Sequence, residues 1–499
     1  MADDNPSLRA TALLRGELIG DAQRPAVLHH GRSVTRAELS ALARQFAADL
    51  EELDAGSRVA IWLANGPELL ALYLACFARD LIAMPLAPGL KWPELQRTLL
   101  SAQPAALILP QLEASKHADS MVRLAPRIWT TASQQHQRLQ RLTTPSPKSH
   151  PFNATSTRSG PESPCLVLHT SGSTGRPKGV VLPRRAVQHI LEYRLTHCEL
   201  TADSVSVVAS CIAQSVGLYQ SLALLAAGAH MVLLDSYEIE AMAQAVNAHQ
   251  PSHLILVVSA LDQLLHHPQI SSASLARLRF VAAGADQLTA RVQRRFAALS
   301  PTPLRCSYGL SESSWALVND GQRADKALAL GKPCPDVSIE LRHANGSPVA
   351  PGAIGEVHIR SPRTMLGYLN DPQLTARVLR DGWLSTGDLA YQDQDGYLWF
   401  AGRSKHLIVL ASGDNVSPTE VEEVLRTHPA VAACLVTSRE TASGAHVPWA
   451  FVVTSQATTP AALREFLSER LSDFKVPVAI ELVSDLPLGL SGKVLRPAT

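Results

Sequence analysis

Apolar residues recur at helical spacing over residues 33–50 and stop near Asp54-Ala-Gly56, which predicts an amphipathic helix with an exit turn. Short, almost wholly apolar runs of strand length follow at 59–63, 82–86, 105–109, 165–169, 204–210, 230–234, 253–258 and 278–282, with a buried helix over 68–79. Strands apolar on both faces and alternating with helices are the pattern of parallel sheets covered by helices. Between residues 130 and 164, Ser, Thr, Gln and Pro displace apolar periodicity, which predicts a surface connection. After about residue 328 the chain turns to short strands (337–342, 355–360, 398–401). The last stretch mixes helices over 418–427 and 460–471 with strands over 432–437 and 449–454. The expected fold is α/β. A large N-terminal domain, residues 1–402, carries parallel-rich sheets flanked by helices plus a small β-rich subdomain, and a small α+β C-terminal domain spans 403–499.

Charge narrows the function. The 45 basic residues nearly cancel the 44 acidic ones, so no net field steers the chain to nucleic acid or an anionic membrane. Seven scattered cysteines contain no CxxC pair, which argues against a disulfide framework or thiolate zinc site. The acidic start MADDNPSL lacks the basic and apolar regions of a signal peptide, and the most apolar early run, 69–78, has about half the length of a membrane span. A cytoplasmic protein without an integral membrane segment is expected.

The strongest local chemistry is TSGSTGRPKG, residues 170–179, directly after an apolar strand. Glycine lets backbone N–H groups close on an anion, hydroxyls add donors, and lysine adds a point charge for phosphate oxygens. A flexible Ser/Gly linker has similar composition, but has no reason to end in Arg-Pro-Lys-Gly and run into Val180-Val-Leu182. The GxxxxGK[ST] string of Walker loops is absent.

This loop and five further segments in order, YGLSE (308–312), GEVHIRSPRTMLGY (355–368), DGWLSTGD (381–388), GRSKHLIVLASGDNVSPTEVE (402–422) and PLGLSGKVLR (487–496), resemble the adenylate-forming superfamily of acyl-CoA synthetases, peptide-synthetase adenylation domains and luciferases. The resemblance implies ATP-dependent conversion of a carboxylic acid to acyl-AMP, with release of pyrophosphate and transfer to the thiol of coenzyme A or of a carrier protein's phosphopantetheine arm. It assigns the phosphates to Thr170, Ser171, Gly172, Ser173, Thr174, Gly175 and Lys178. Adenine falls to Tyr308, ATP or AMP more generally also to Gly309 and Ser311, Mg²⁺ to Glu312, and ribose to Asp388 and Arg403. Lys493 would bridge the acid and the α-phosphate, where two anions must meet. The C-terminal domain would rotate about Lys405 and bring Ser412 and Gly413 to the thiol tunnel.

Departures bear on the acid. Where amino-acid-activating relatives carry an aspartate and many acyl-CoA ligases a histidine, this chain has Ala213 and Gln214. Neither neutralises an α-ammonium group, and burying one unpaired costs on the order of several kcal/mol. With Gly217 and Gly284 these form the expected acyl pocket. The string IVLASGDN resembles fatty-acyl members and tips the expectation to an apolar acyl acid, with an aromatic acid close behind. His406 replaces a common aspartate after the hinge lysine, and Ser311 a common threonine. Alternatives are a stand-alone enzyme loading an acyl or peptidyl carrier protein, amino-acid activation, and a non-catalytic nucleotide-binding protein. The last should have lost its charged centre, yet Lys178, Glu312, Asp388, Arg403 and Lys493 are present.

Overall fold

The computed structural model describes residues 5–117, 124–125, 127–131, 139–141, 160–170, 178–404, 408–410, 415–440 and 446–486. Its first boundary shows local sequence at work. Thr35 caps the helix Arg36–Asp49 by accepting from the Glu38 N–H, while Glu38 accepts from the Thr35 N–H, the reciprocal pair of a capping box. The expected helical run is therefore corrected at its start, because residues 32–35 form the strand Arg32–Thr35. Helix Pro67–Ala78 begins with proline at its first turn and buries Leu69 through Phe77, as its apolar sequence requires.

Contacts divide the chain into two units. One comprises residues 1–327, 334–337 and 361–382; the other comprises 328–333, 338–360 and 383–499. The first unit holds two sheets. In one, neighbours run Ser314–Asn319, Leu304–Leu310, Phe280–Gly284, His253–Val257, Val205–Val208, His230–Leu233, Pro25–His29 and Arg32–Thr35. Its middle is parallel and its ends are antiparallel hairpins. In the other, neighbours run Gly367–Tyr368, Lys178–Pro183, Pro164–Thr170, Ile82–Pro85, Arg58–Ile61, Ala106–Pro110, Ile128–Thr131 and Leu139–Arg141. Four successive pairs there are parallel. Central strands such as Arg58–Ile61 are buried on both faces, which is why they read as unbroken apolar runs. The polar connection expected over 130–164 is corrected in part, since Leu139–Arg141 pairs antiparallel with Ile128–Thr131.

The second unit contains an antiparallel sheet through Ser338–Arg342, Gly355–Arg360, Trp383–Gln392 and Leu398–Arg403. Later in the chain, Val431–Glu440 pairs antiparallel with His446–Thr454, which pairs parallel with Ala479–Leu482. Helices Pro418–Arg426 and Pro460–Ser468 bury Val421, Leu425, Leu463 and Leu467 against this small sheet in one apolar cluster. The fold is thus α/β, with a large parallel-rich N-terminal part and a small α+β C-terminal part. Among the described residues no helix is long and apolar enough to cross a membrane. All seven cysteines are free.

Candidate active site

The glycine-rich loop joins two antiparallel strands, Pro164–Thr170 and Lys178–Pro183, with Thr170 opposite Lys178. Ser171, Gly172, Ser173, Thr174 and Gly175 lie outside the described residues. One boundary is corrected: Lys178 is the first residue of the returning strand and not part of the loop. Strand geometry fixes where its side chain goes. The short strand Gly367–Tyr368 pairs alongside, with Tyr368 opposite Val180, and the Lys178 ammonium stands 5.4 Å from the centre of the Tyr368 ring.

Tyr368 Oη donates to Glu312 Oε1 at 2.8 Å. Burial first, and then the Glu312 charge and this hydrogen bond, push the phenol well above its ordinary value, so it stays a donor. Glu312 sits in the tight connection between Leu304–Leu310 and Ser314–Asn319, and its carbonyl accepts from the Met365 N–H at 2.8 Å. Two arginines hold the segment that delivers Tyr368. Arg363, buried, donates to the Trp315 and Pro335 carbonyls at 2.7 Å each, and Arg185 donates to the Pro362 and Thr364 carbonyls.

The other residues of YGLSE occupy the same hairpin. Tyr308 is half-buried on its strand opposite Leu317. A Cβ at Gly309 would lie 2.0 Å from the Ser314 carbonyl oxygen, so the hairpin closes only on glycine. Ser311 Oγ lies 3.4 Å from the hydroxyl of Ser215, the first residue of helix Ser215–Ala227. Gln214 precedes that helix and Ala213 is buried before it. Gly217 and Gly284 serve close approach of backbone. A Cβ at Gly217 would meet the Cys211 carbonyl oxygen at 2.5 Å, and one at Gly284 the Ser307 carbonyl oxygen at 2.6 Å.

In the second unit, Asp388 is buried on strand Trp383–Gln392 directly opposite Arg403, whose Nε lies 2.6 Å from Asp388 Oδ1. Thr386, Gly387 and Asp388 all lie within this strand. Gly387 takes φ +72°, its N–H donates to Glu356 Oε1 at 3.0 Å, and Thr386 Oγ1 donates to the Val357 carbonyl while accepting from the Asp388 N–H. Lys405, Ser412, Gly413 and Lys493 lie outside the described residues.

Sequence reading passed over Tyr368 and Glu356, although both stand in GEVHIRSPRTMLGY. Their signal was the motif itself. Only strand pairing revealed that its last residue reaches Glu312 and its second residue the Gly387 amide.

Comparison with known proteins shows the family to which the chain belongs. The family described as AMP-binding enzyme matches residues 20–369, and the AMP-binding enzyme C-terminal domain matches 420–493. An indoleacetate–CoA ligase of Aromatoleum aromaticum is 30% identical over 496 residues, covering 95% of this chain and 94% of its own length. A feruloyl-CoA synthase of an Amycolatopsis species is 30% identical over 478 residues, covering 94% of each. The crystal structure of ATP-bound MatB from Rhodopseudomonas palustris superposes with a TM-score of 0.87 at 25% identity, over 98% of this chain and 97% of that one. The chain therefore belongs to the AMP-binding enzyme family, the adenylate-forming superfamily its motifs resemble, and is an acyl-CoA synthetase-like, AMP-forming acid–thiol ligase.

Proposed function

We propose that the enzyme couples an apolar aromatic acid to coenzyme A through an acyl-AMP intermediate, with fatty acids the next class. A carboxylate oxygen bonds to the α-phosphorus as the bond to the β-phosphate oxygen breaks and pyrophosphate leaves. The thiol sulfur then bonds to the acyl carbon, the bond to AMP breaks, and the thiol proton passes to solvent. Both steps need charge cancellation and positioning more than proton transfer.

The observation that carries the reading is the grouping of Glu312, Tyr368 and Lys178. Glu312 has one oxygen fixed by Tyr368, and among the described residues no donor meets the other. That donor set fits Mg²⁺, which takes carboxylate and phosphate oxygens and, when bound, neutralises phosphate charge. Lys178 has no carboxylate partner among the described residues, as suits a cation kept for phosphate with Thr170 and residues 171–175. Tyr308 holds adenine and Asp388 with Arg403 the ribose. Lys493 serves the first step and Ser412-Gly413 the second, as residues 403–499 turn about Lys405 relative to 1–402.

Chemistry and kinship support this acid class. Ala213 and Gln214 offer no charge to an α-ammonium group, and two 30%-identical relatives are named for indoleacetate and ferulate. Pyrophosphate exchange across an acid library tests the reading, followed by coenzyme A or a carrier protein as acceptor. Arylacetic and hydroxycinnamic acids should give the fastest exchange and a coenzyme A thioester. No exchange with any acid would end the proposal, and thioester on the carrier alone would replace coenzyme A as acceptor. Lys493→Ala should lose exchange, whereas Gly413→Trp should keep exchange and lose thioester.

A further inference from the structure

On the N-terminal sheet, apart from every residue assigned above, three ligating side chains converge. His29 closes the strand Pro25–His29, which pairs parallel with His230–Leu233 in the register Val27 to Met231 and Leu28 to Val232. Asp235 follows two residues beyond that neighbour strand. Successive side chains on a strand face opposite sides, so His30 should point away from His29. It does not, because His30 takes the left-handed conformation, φ 49°, at the turn into Arg32–Thr35. The two imidazoles stack with centroids 4.0 Å apart and planes at 20°. His29 Nε2 lies 3.0 Å from Asp235 Oδ1, and His30 Nε2 lies 2.8 Å from Asp235 Oδ2.

We propose that His29, His30 and Asp235 bind one zinc(II)-class cation at the surface of the sheet. The three ligand atoms lie within 4.8 Å of one another. Zinc bonds of about 2.0–2.2 Å to imidazole nitrogen and carboxylate oxygen place tetrahedral ligand atoms roughly 3.3 Å apart. The two imidazoles reach different oxygens of one carboxylate from a stacked arrangement, so the exposed His30 ring must unstack and swing towards His29 for one cation to replace the bridging protons. Two imidazoles and one carboxylate select zinc, nickel or copper over magnesium and calcium, which prefer oxygen alone. His29 is largely buried and so fixed, while the side chains of His30 and Asp235 are 61% and 58% exposed, which leaves an open side for entry and a fourth, water ligand. The left-handed conformation, unusual for a residue other than glycine, has the effect of bringing the second imidazole to the carboxylate. Bound there, the cation ties the first strand to one some 200 residues later and stabilises the hairpin by linkage.

The test is zinc titration of the full-length enzyme in excess Mg²⁺ by competition with a chromophoric chelator, with melting followed in parallel. Wild type should bind one zinc tightly enough to compete and should melt higher with zinc. His30→Ala and Asp235→Asn, both at exposed positions, should lose at least about tenfold in affinity, since even outer-shell losses cost 10–100-fold, and should lose the melting shift. Pyrophosphate exchange with Mg²⁺ should be unchanged in both, which separates this site from the catalytic one. Cobalt(II) should give a tetrahedral d–d spectrum in wild type only. Equal zinc binding by wild type and both variants would place the metal on other histidines and overturn the proposal, as would no binding by wild type. In either case the three residues would be a hydrogen-bonded strand clamp.

Discussion

The Tyr368 hydroxyl donates to Glu312 Oε1 at 2.8 Å, on a ring whose face carries the Lys178 ammonium 5.4 Å away. The phenol thus joins the residue proposed for Mg²⁺ to the residue proposed for phosphate. Removing only the hydroxyl keeps the ring and its packing. A hydrogen bond to a charged group is worth about 1.5–3 kcal/mol, so Tyr368→Phe should slow pyrophosphate exchange roughly ten- to hundredfold and raise the Mg²⁺ needed for half-maximal rate. An unchanged Mg²⁺ dependence would remove Tyr368 from the site. Glu312→Gln should cost more, because it removes the charge and not only its orientation.

Asp388 and Arg403 are unequal partners, and their variants should differ accordingly. Asp388 is buried, whereas the Arg403 side chain is 43% exposed and can be hydrated alone. Arg403→Ala removes the cation 2.6 Å from a buried carboxylate, at a cost of about 1–3 kcal/mol once exposure of the arginine is discounted. Asp388→Asn removes the charge that needed neutralising. Thermal melting should therefore fall further for Arg403→Ala, while Asp388→Asn should raise the KM for ATP by loss of the ribose acceptor. Equal melting of the two would show that the Asp388 charge does not need Arg403 to neutralise it in the fold.

Much of this molecule was legible because its central strands are buried on both faces. Residues such as Val59, Ala60 and Ile61 have no polar alternation to dilute the signal, and glycine and proline punctuate their ends. Edge and hairpin strands were harder to read. Pro25–His29 and Leu304–Leu310 mix His, Arg, Ser and Tyr with apolar residues, and only pairing with distant neighbours defines them. The charged candidates Lys178, Glu312, Asp388 and Arg403 stood out inside motifs, but what positions them did not. Tyr368 and Glu356 reach their partners across strands, at sequence separations of 56 and 31 that no local pattern records.

Glycines at the candidate acyl pocket yield a prediction about packing. A Cβ at Gly217 would lie 2.5 Å from the Cys211 carbonyl oxygen and 2.9 Å from that of Ser210, both backbone atoms that cannot swing aside. Gly217→Ala should displace helix Ser215–Ala227 and lower stability by about 1–3 kcal/mol, read as a drop in melting temperature. Ala213→Gly, which adds space without a clash, should lower melting only modestly, by loss of a buried methyl and added chain entropy, and alter the ranking of acids in pyrophosphate exchange. If Gly217→Ala melts like wild type, the close approach at this helix does not constrain the fold.

A buried histidine sets an acid limit on stability. Burial pushes the His253 imidazole from about 6.5 down to about 4. In the folded chain its Nε2 meets the Cys198 carbonyl at 2.8 Å and its Nδ1 meets Ser252 Oγ at 2.8 Å, so the neutral ring donates at one nitrogen and accepts at the other. Between those two values the unfolded chain binds a proton that the folded chain refuses. Stability therefore rises with pH across this window. The contribution is complete above about 6.5 and is lost as pH falls towards 4, to a limit of about 3 kcal/mol. His253→Gln, which keeps a donor and an acceptor but cannot take up a proton, should melt lower than wild type at pH 7.5. It should also lose less of its melting temperature between pH 6.5 and 4.5. Parallel loss in the two proteins would mean that acid acts elsewhere in the fold, since only His253 differs between them.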